Sequence, residues 1–320
     1  MKAAVVAEFD HAPRWAEFAE PEPSGPDEVA IDVVAAALHP RVRSQANGSH
    51  YTSTDELPLI PGIDGVGRLP DGSLRYFVLP DTRLGSLAER AVIDLRRSLP
   101  LAGSEDPVAV AAAMNPGMSS WLALRRRASL QPGQAVLVLG ATGSAGRLAV
   151  QFARHLGAGR VVAAGRDGES LDALLALGAD EVVSLAGDLE QAAARVGEAA
   201  ADVDVVVDYL WGAPAQAVIP ALLTRRADRA RQLSWVQVGA VAGPEISVAS
   251  ALLRGANLQL MGSGQGSVGT RTILEELRPL MAEVAAGAFV LDTDPRAMAD
   301  VEAVWAETPN ARSRIVFVTQ

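Results

Sequence analysis

Cysteine is absent from this sequence of 320 residues, and lysine occurs once, as Lys2. The first absence removes disulfides, thiolate nucleophiles and cysteine-ligated zinc. The second leaves arginine as every other basic residue, so neither a Tyr-x-x-x-Lys pair nor a lysine Schiff base can form beyond residue 2. No run of about 20 uninterrupted apolar residues exists, and no membrane span is expected. The most apolar stretch, Val108 to Leu124, is broken by Asn115, Pro116, Gly117 and two serines. The opening MKAAVVAEFD lacks the apolar segment of a secretory signal, and a cytoplasmic location is expected. Positive charge is scarce as well. A net charge of −10 leaves no basic face for broad nucleic-acid binding.

What is present changes texture along the chain. Up to about residue 115 there are short β-rich runs, Lys2 to Glu8, Glu28 to Ala36, Leu74 to Leu79 and Ala88 to Asp94, separated by PEPSGPDE, PLIPG and LPDGS. An antiparallel, barrel-like domain is expected there. From residue 116 strands alternate with helices, as in a doubly wound parallel sheet. Ala135 to Gly140 is a continuous apolar run, the signature of a strand buried on both faces. The following segment places Leu148, Ala149, Phe152 and Ala153 on one helical face, with Arg147, Gln151 and Arg154 on the other. Further strands are expected at 160–164, 181–185, 202–209, 234–240 and 257–262, helices at 271–287 and 295–306, and a last strand at 314–319. The expected division is 1–115 completed by 259–320, around a dinucleotide-binding domain at 116–258.

The strongest chemical signal is GATGSAG, Gly140 to Gly146, between the buried strand and the amphipathic helix. A glycine-rich strand-to-helix turn lets backbone approach a pyrophosphate, and the helix start offers free N–H groups. Gly143 and Gly146 fit the last two glycines of G-x-G-x-x-G, and Ala141 takes the first. Ala141, Thr142, Gly143, Ser144, Ala145 and Gly146 are therefore cofactor-binding candidates. The next strand ends in VVAAGRD. An NAD site usually carries an acidic residue there for the ribose hydroxyl, whereas Arg166 suits the 2′-phosphate of NADPH. Asp167, one residue on, is the competing reading.

Several segments together resemble the medium-chain dehydrogenase/reductase superfamily over nearly the full length. PGIDGVG (Pro61 to Gly67) looks like its P-G-x-E-x-x-G turn, and LGSLAERAVI (Leu84 to Ile93) its G-x-x-A-E strand. Leu130 to Ala158 is similar to the quinone-reductase form of the cofactor segment, A-x-G-x-x-G. DVDVVVDYLWG resembles the family's D-x-x-x-G strand, at Asp208 and Gly212. The resemblance implies an α/β protein with an N-terminal GroES-like β-barrel domain plus a Rossmann doubly wound parallel sheet. It also implies that Asp208 and two turns, Val238-Gly239-Ala240 and Gly262-Ser263-Gly264, complete the cofactor pocket. Zinc members carry a His-Glu pair where this chain has Ile63 and Asp64, so the zinc-free branch is expected, with no metal.

In that branch the resemblance implies hydride transfer from NADPH to a quinone or an α,β-unsaturated carbonyl, as a homodimer. The loop LHPRVRSQANGSHY is similar to the family's N-P-x-D/E stretch beside the nicotinamide, with His39 and Val42 departing from it. His39, Arg43, Ser44 and Tyr51 are candidate donors toward a substrate oxygen, each with a structural hydrogen bond as its alternative. Arg41 and Arg43 together suit an anionic substrate, or form a solvated charge pair. Two other functions stay open at this point. One is an enoyl reductase of a biosynthetic pathway, and the other a non-catalytic NADPH-binding protein of the same fold.

Overall fold

The computed structural model describes residues 1–50, 52–103, 105–264, 266–307 and 313–319. The chain divides into two compact units, Met1–Asn115 with Leu277–Gln320, and Pro116–Glu276. Among the described residues no helix is long and apolar enough to cross a membrane.

The first unit is built on β-structure. Strands β1 (Lys2–Val5) and β2 (Arg14–Glu17) form an antiparallel pair. Then come β3 (Glu28–Ala37), the short helix α1 (Pro40–Ala46), β4 (Asp64–Arg68), β5 (Leu74–Val78), β6 (Arg90–Asp94) and β7 (Ser98–Pro100). α1 starts where Pro40, with its fixed φ, occupies the first turn after His39.

Helix α2 (Pro107–Leu122) follows, continuing through Pro116 and ending in a π-helical turn at Ala123–Arg127. The second unit's sheet then begins with β8 (Ala135–Leu139), α3 (Ser144–His155), β9 (Arg160–Gly165), α4 (Gly168–Ala176), β10 (Glu181–Ser184), α5 (Leu189–Ala199) and β11 (Val205–Asp208). It continues with α6 (Gly212–Arg225), β12 (Leu233–Gln237), α7 (Ser250–Gly255) and β13 (Leu258–Gly262). Helix α8 (Thr270–Ala285), β14 (Thr293–Ala297), α9 (Val301–Ala306) and β15 (Arg314–Val318) end the chain.

The six strands of the second unit run in the order β10-β9-β8-β11-β12-β13, all parallel. Val136–Leu139, Val161–Ala164 and Val206–Val207 are fully buried, which accounts for their unbroken apolar sequence. The expected boundary at 258/259 cuts through β13: residues 258–262 pair in parallel with β12, so the sheet extends through Gly262. On α3, Leu148, Ala149, Phe152 and Ala153 are buried as expected. Gln151 is buried too, its amide donating to the Arg147 carbonyl, so the polar face is narrower than the sequence implied.

In the first unit the sheet order is β14-β15-β3-β4-β5-β7, with β6 also paired to β3. All pairs are antiparallel except β14 with β15. The strand β15, from the far end of the sequence, pairs with β3 near the beginning. Ile31, Phe77, Leu87, Ile93 and Phe317 form the core under this sheet. The segment 295–306, expected as one helix, is instead part strand and part helix: β14 pairs with β15 before the chain turns into α9.

Candidate functional site

In the second unit the winding direction reverses between β8 and β11, the two neighbouring strands whose connections leave in opposite directions. Open parallel sheets bind ligands at the carboxyl ends of strands at such a reversal. The glycine loop lies there, joining β8 to α3. A Cβ on Gly146 would stand 2.3 Å from the Gly140 carbonyl oxygen and 2.6 Å from Ala141 Cα, so only glycine lets helix and strand close this tightly. Gly143 is the N-cap of α3, no side chain caps that helix, and a Cβ at this glycine would meet only the Gly140 carbonyl oxygen, at 3.8 Å. Thr142, Ser144 and Ala145 are half-buried in the same turn.

Behind this loop sits Tyr209, the residue after β11, which the sequence did not single out. Its hydroxyl donates to the Ala145 carbonyl at 3.2 Å and pairs with the Ser119 hydroxyl at 3.2 Å. Burial raises its pKa above the ordinary tyrosine value. Tyr209 thus ties the end of β11 to the first turn of α3.

The second βα turn packs onto the first. A Cβ on Gly165 would meet Thr142 Cγ2 at 2.5 Å, so no acidic side chain fits at that strand end. Arg166 is exposed and makes no hydrogen bond or ion pair among the described residues. Asp167 is not presented in the same way, since its carboxylate accepts the Ser170 hydroxyl within α4's first turn. The donor set, a helix start that no side chain caps with an exposed guanidinium after the neighbouring strand, fits a dinucleotide with a 2′-phosphate.

Asp208 behaves otherwise than expected. Its Oδ1 accepts the backbone N–H of Leu210 at 2.8 Å and of Trp211 at 3.0 Å, and its Oδ2 accepts the indole N–H of Trp235 at 3.0 Å. Both oxygens are spent inside the unit, where they hold Trp211 at φ 53, a left-handed conformation that non-glycine residues seldom adopt. Burial raises its pKa against those three hydrogen bonds. The Asp208 carboxylate is a latch for the β11 turn. The turn it anchors carries Val238 and Gly239, whose N–H groups both donate to the Asp208 carbonyl, at 2.8 and 3.2 Å, while Ala240 beyond them is exposed. At the end of β13, Ser263 N–H donates to Gln237 carbonyl, and Gly264 N–H to Ser267 Oγ. The Gly262 carbonyl accepts Arg127 Nε at 2.9 Å.

In the first unit the loop residues read as donors separate into different roles. His39 is buried, and its Nε2–H donates to Asp64 Oδ1 at 3.1 Å. Tyr76 donates to the other oxygen, Oδ2, at 2.9 Å, so Asp64 is shared by a histidine and a tyrosine. Burial lowers the His39 pKa, with Asp64 opposing it, and burial followed by the Asp64 charge raises that of Tyr76 well above its usual value. Arg43 is not at the disposal of a ligand: its guanidinium stacks 4.9 Å over Trp305 and donates to the Trp305 carbonyl at 3.0 Å. The Ser44 hydroxyl closes on its own helix, donating to the Arg41 carbonyl at 3.0 Å. Tyr51 lies outside the described residues. Arg41 and Arg43 are not a solvated pair either, because Arg41 is half-buried and donates to Thr52 and to Asp81. Among the described residues, the side chains grouped closely enough to hold a metal are Glu8, Asp10 and His11, all exposed.

Comparisons with known proteins agree with this geometry. Residues 145–285 match the zinc-binding dehydrogenase family model. The chain is 31% identical to the probable NADPH-dependent quinone reductase tdiC of Emericella nidulans, over 99% of this chain and 100% of that protein. It is 30% identical to the chloroplastic NADPH-dependent alkenal/one oxidoreductase of Arabidopsis thaliana, over 48% of this chain and 44% of that one. Among solved structures, the quinone oxidoreductase of Thermus thermophilus, determined also in complex with NADPH, superposes with a TM-score of 0.81 at 27% identity, covering 99% of this chain and 100% of that one.

Proposed function

Because this chain belongs to the medium-chain dehydrogenase/reductase superfamily, in its quinone oxidoreductase-like branch, we propose that it is an NADPH-dependent reductase of quinones or α,β-unsaturated carbonyls. The observation that carries the cofactor half of this reading is Arg166, exposed and unpartnered one residue after a glycine that leaves no room for a carboxylate. Guanidinium meets phosphate as a planar fork, which a ribose hydroxyl cannot match.

When bound, NADPH supplies the hydride. The residues of this chain do the rest by position. The backbone from Ala141 to Gly146 and the uncapped start of α3 would hold the pyrophosphate, and Arg166 the 2′-phosphate. The turns at Val238-Gly239-Ala240 and Gly262-Ser263-Gly264 offer backbone for the carboxamide end. An acceptor that is already electron-poor takes up hydride at its conjugated carbon and leaves an oxyanion, so the protein's task is orientation and stabilisation of that charge. His39, fixed by Asp64, is the loop residue best suited to serve it.

The same reading implies a homodimer in the cytoplasm, where nicotinamide cofactors are reduced again. Support for the dimer comes from β13, which among the described residues is hydrogen-bonded along one edge alone, and from Val241 and Leu253, which are exposed in the same unit.

The test is oxidation of NADPH and NADH by the purified protein, with EDTA present, against ortho- and para-quinones and small enones. Turnover with NADPH preferred, undiminished by the chelator, is the expected outcome. Saturable NADPH binding with no turnover on any acceptor would instead mark a non-catalytic member of the fold, and turnover confined to acyl thioesters an enoyl reductase.

A further inference from the structure

Tyr209 meets two turns of the second unit, the glycine loop after β8 and the turn after β12. Its backbone N–H donates to the Leu139 carbonyl at 3.1 Å, and its own carbonyl accepts the Val241 N–H at 3.2 Å. On each side a glycine leaves it room. A Cβ on Gly140 would stand 3.2 Å from Tyr209 Cβ, and one on Gly239 would stand 2.9 Å from the Tyr209 carbonyl oxygen. The side chain then reaches a third point, the Ala145 carbonyl in the first turn of α3, at 3.2 Å. One residue thus touches the loop, the helix start and the turn after the next strand.

The hydroxyl hydrogens at this point are fewer than the contacts. Ser119 Oγ donates to the Pro116 carbonyl at 2.7 Å. That leaves the Tyr209 hydrogen to serve both Ser119 and Ala145, each at 3.2 Å. A hydroxyl has one hydrogen to give. Without the Ser119 hydroxyl, that hydrogen would go wholly to Ala145. Without the Tyr209 hydroxyl, the tie from β11 to α3 is gone.

We propose that Tyr209 is a positioning residue for the cofactor: it sets the spacing between the glycine loop and the turn after β12, and its hydroxyl holds the start of α3, where the pyrophosphate would be bound. The inference rests on the NADPH reading above and adds the residue that keeps two parts of the cofactor pocket in register. Such supporting contacts matter because a binding constellation is only as well placed as the residues that hold it. Tyr209 acts through the backbone it holds, so its effect belongs to the pyrophosphate, which NADPH and NADH share. The 2′-phosphate is left to Arg166. A general softening of the unit would instead weaken every ligand alike.

Calorimetric titration with NADPH, NADH and 2′-AMP, which carries the 2′-phosphate without the pyrophosphate, compares the wild type with Tyr209→Phe and Ser119→Ala. Tyr209→Phe is expected to weaken NADPH and NADH by the same factor, about fivefold for one neutral hydrogen bond, and to leave 2′-AMP within about twofold. Ser119→Ala is expected to keep all three within about twofold, because the Tyr209 hydrogen then serves Ala145 alone. Three results would overturn the proposal and leave the NADPH reading in place: unchanged NADPH binding in Tyr209→Phe, equal loss of NADPH and 2′-AMP, or as large a loss in Ser119→Ala. A wild type that binds no NADPH would overturn that reading and this inference with it. Gly239→Ala repeats the test with the hydroxyl in place, since its methyl group would push the turn off the Tyr209 carbonyl. Both dinucleotides weakened with 2′-AMP retained would sustain the spacing role, and unchanged dinucleotide binding would overturn it. Melting temperatures show that each variant is folded.

Discussion

Arg166 and Asp167 are adjacent and of opposite charge, yet only one is free to meet a ligand. Asp167 is held by Ser170, and Arg166 faces solvent. Arg166→Ala should raise the KM for NADPH by about tenfold and leave that for NADH within about twofold, because the lost partner is a phosphate that NADH lacks. Steady-state kinetics with both cofactors checks this, and an equal loss on both would remove Arg166 from the site. The tight glycine turn was legible in the sequence because a close backbone approach leaves a local mark. The side-chain roles were not. The family resemblance implied Asp208 as a cofactor residue, but its partner Trp235 lies 27 positions away. His39 finds Asp64 25 positions on, and Arg43 finds Trp305 262 positions on. Neither partnership leaves a trace in the residues around the loop.

At the scale of the elements, the β8–loop–α3 unit depends on one contact between backbone segments. Gly146→Ala would drive a methyl group into the Gly140 carbonyl and Ala141 Cα, neither of which can rotate away. The expected result is a loss of about 1–3 kcal/mol of stability, read from the denaturant midpoint, together with weaker NADPH binding. A variant as stable as wild type would mean that α3 can shift along the strand. The central sheet strands were readable because burial on both faces makes them continuous apolar runs. The first unit was harder. PGIDGVG reads as a turn, yet Asp64–Arg68 is a strand because β3 and β5 flank it and complete its hydrogen bonds. Thr293–Ala297 contains a proline and still pairs as the outermost strand of its sheet, where a missing donor is tolerated. α1 is too short to show a helical period, and α2 runs through a proline that the sequence presents as a break.

For the molecule as a whole, the open edge of β13 is the feature a second copy would cover. Val241 is 77% exposed and Leu253 47%, and charge at these positions would leave the fold of one chain untouched. A Val241→Arg, Leu253→Arg double variant should sediment as a monomer with an unchanged melting temperature, while the wild type sediments as a dimer. A wild-type monomer at micromolar concentration would remove the dimer from the reading. The first unit is assembled from both ends of the chain, and that arrangement sets an order in time. During synthesis the residues of the second unit emerge as one uninterrupted stretch, and each parallel strand finds its neighbours within that same stretch. β3 differs: the strand that pairs with its last residues, β15, follows the whole second unit in the sequence. The nascent first unit must therefore wait, with Ala35–Ala37 of β3 lacking their β15 partners and Phe317 missing from its core, until the second unit has been made. A premature stop between Glu276 and β15 would spare the second unit and leave the other with an adhesive edge, making such truncated chains substrates for proteolysis and aggregation.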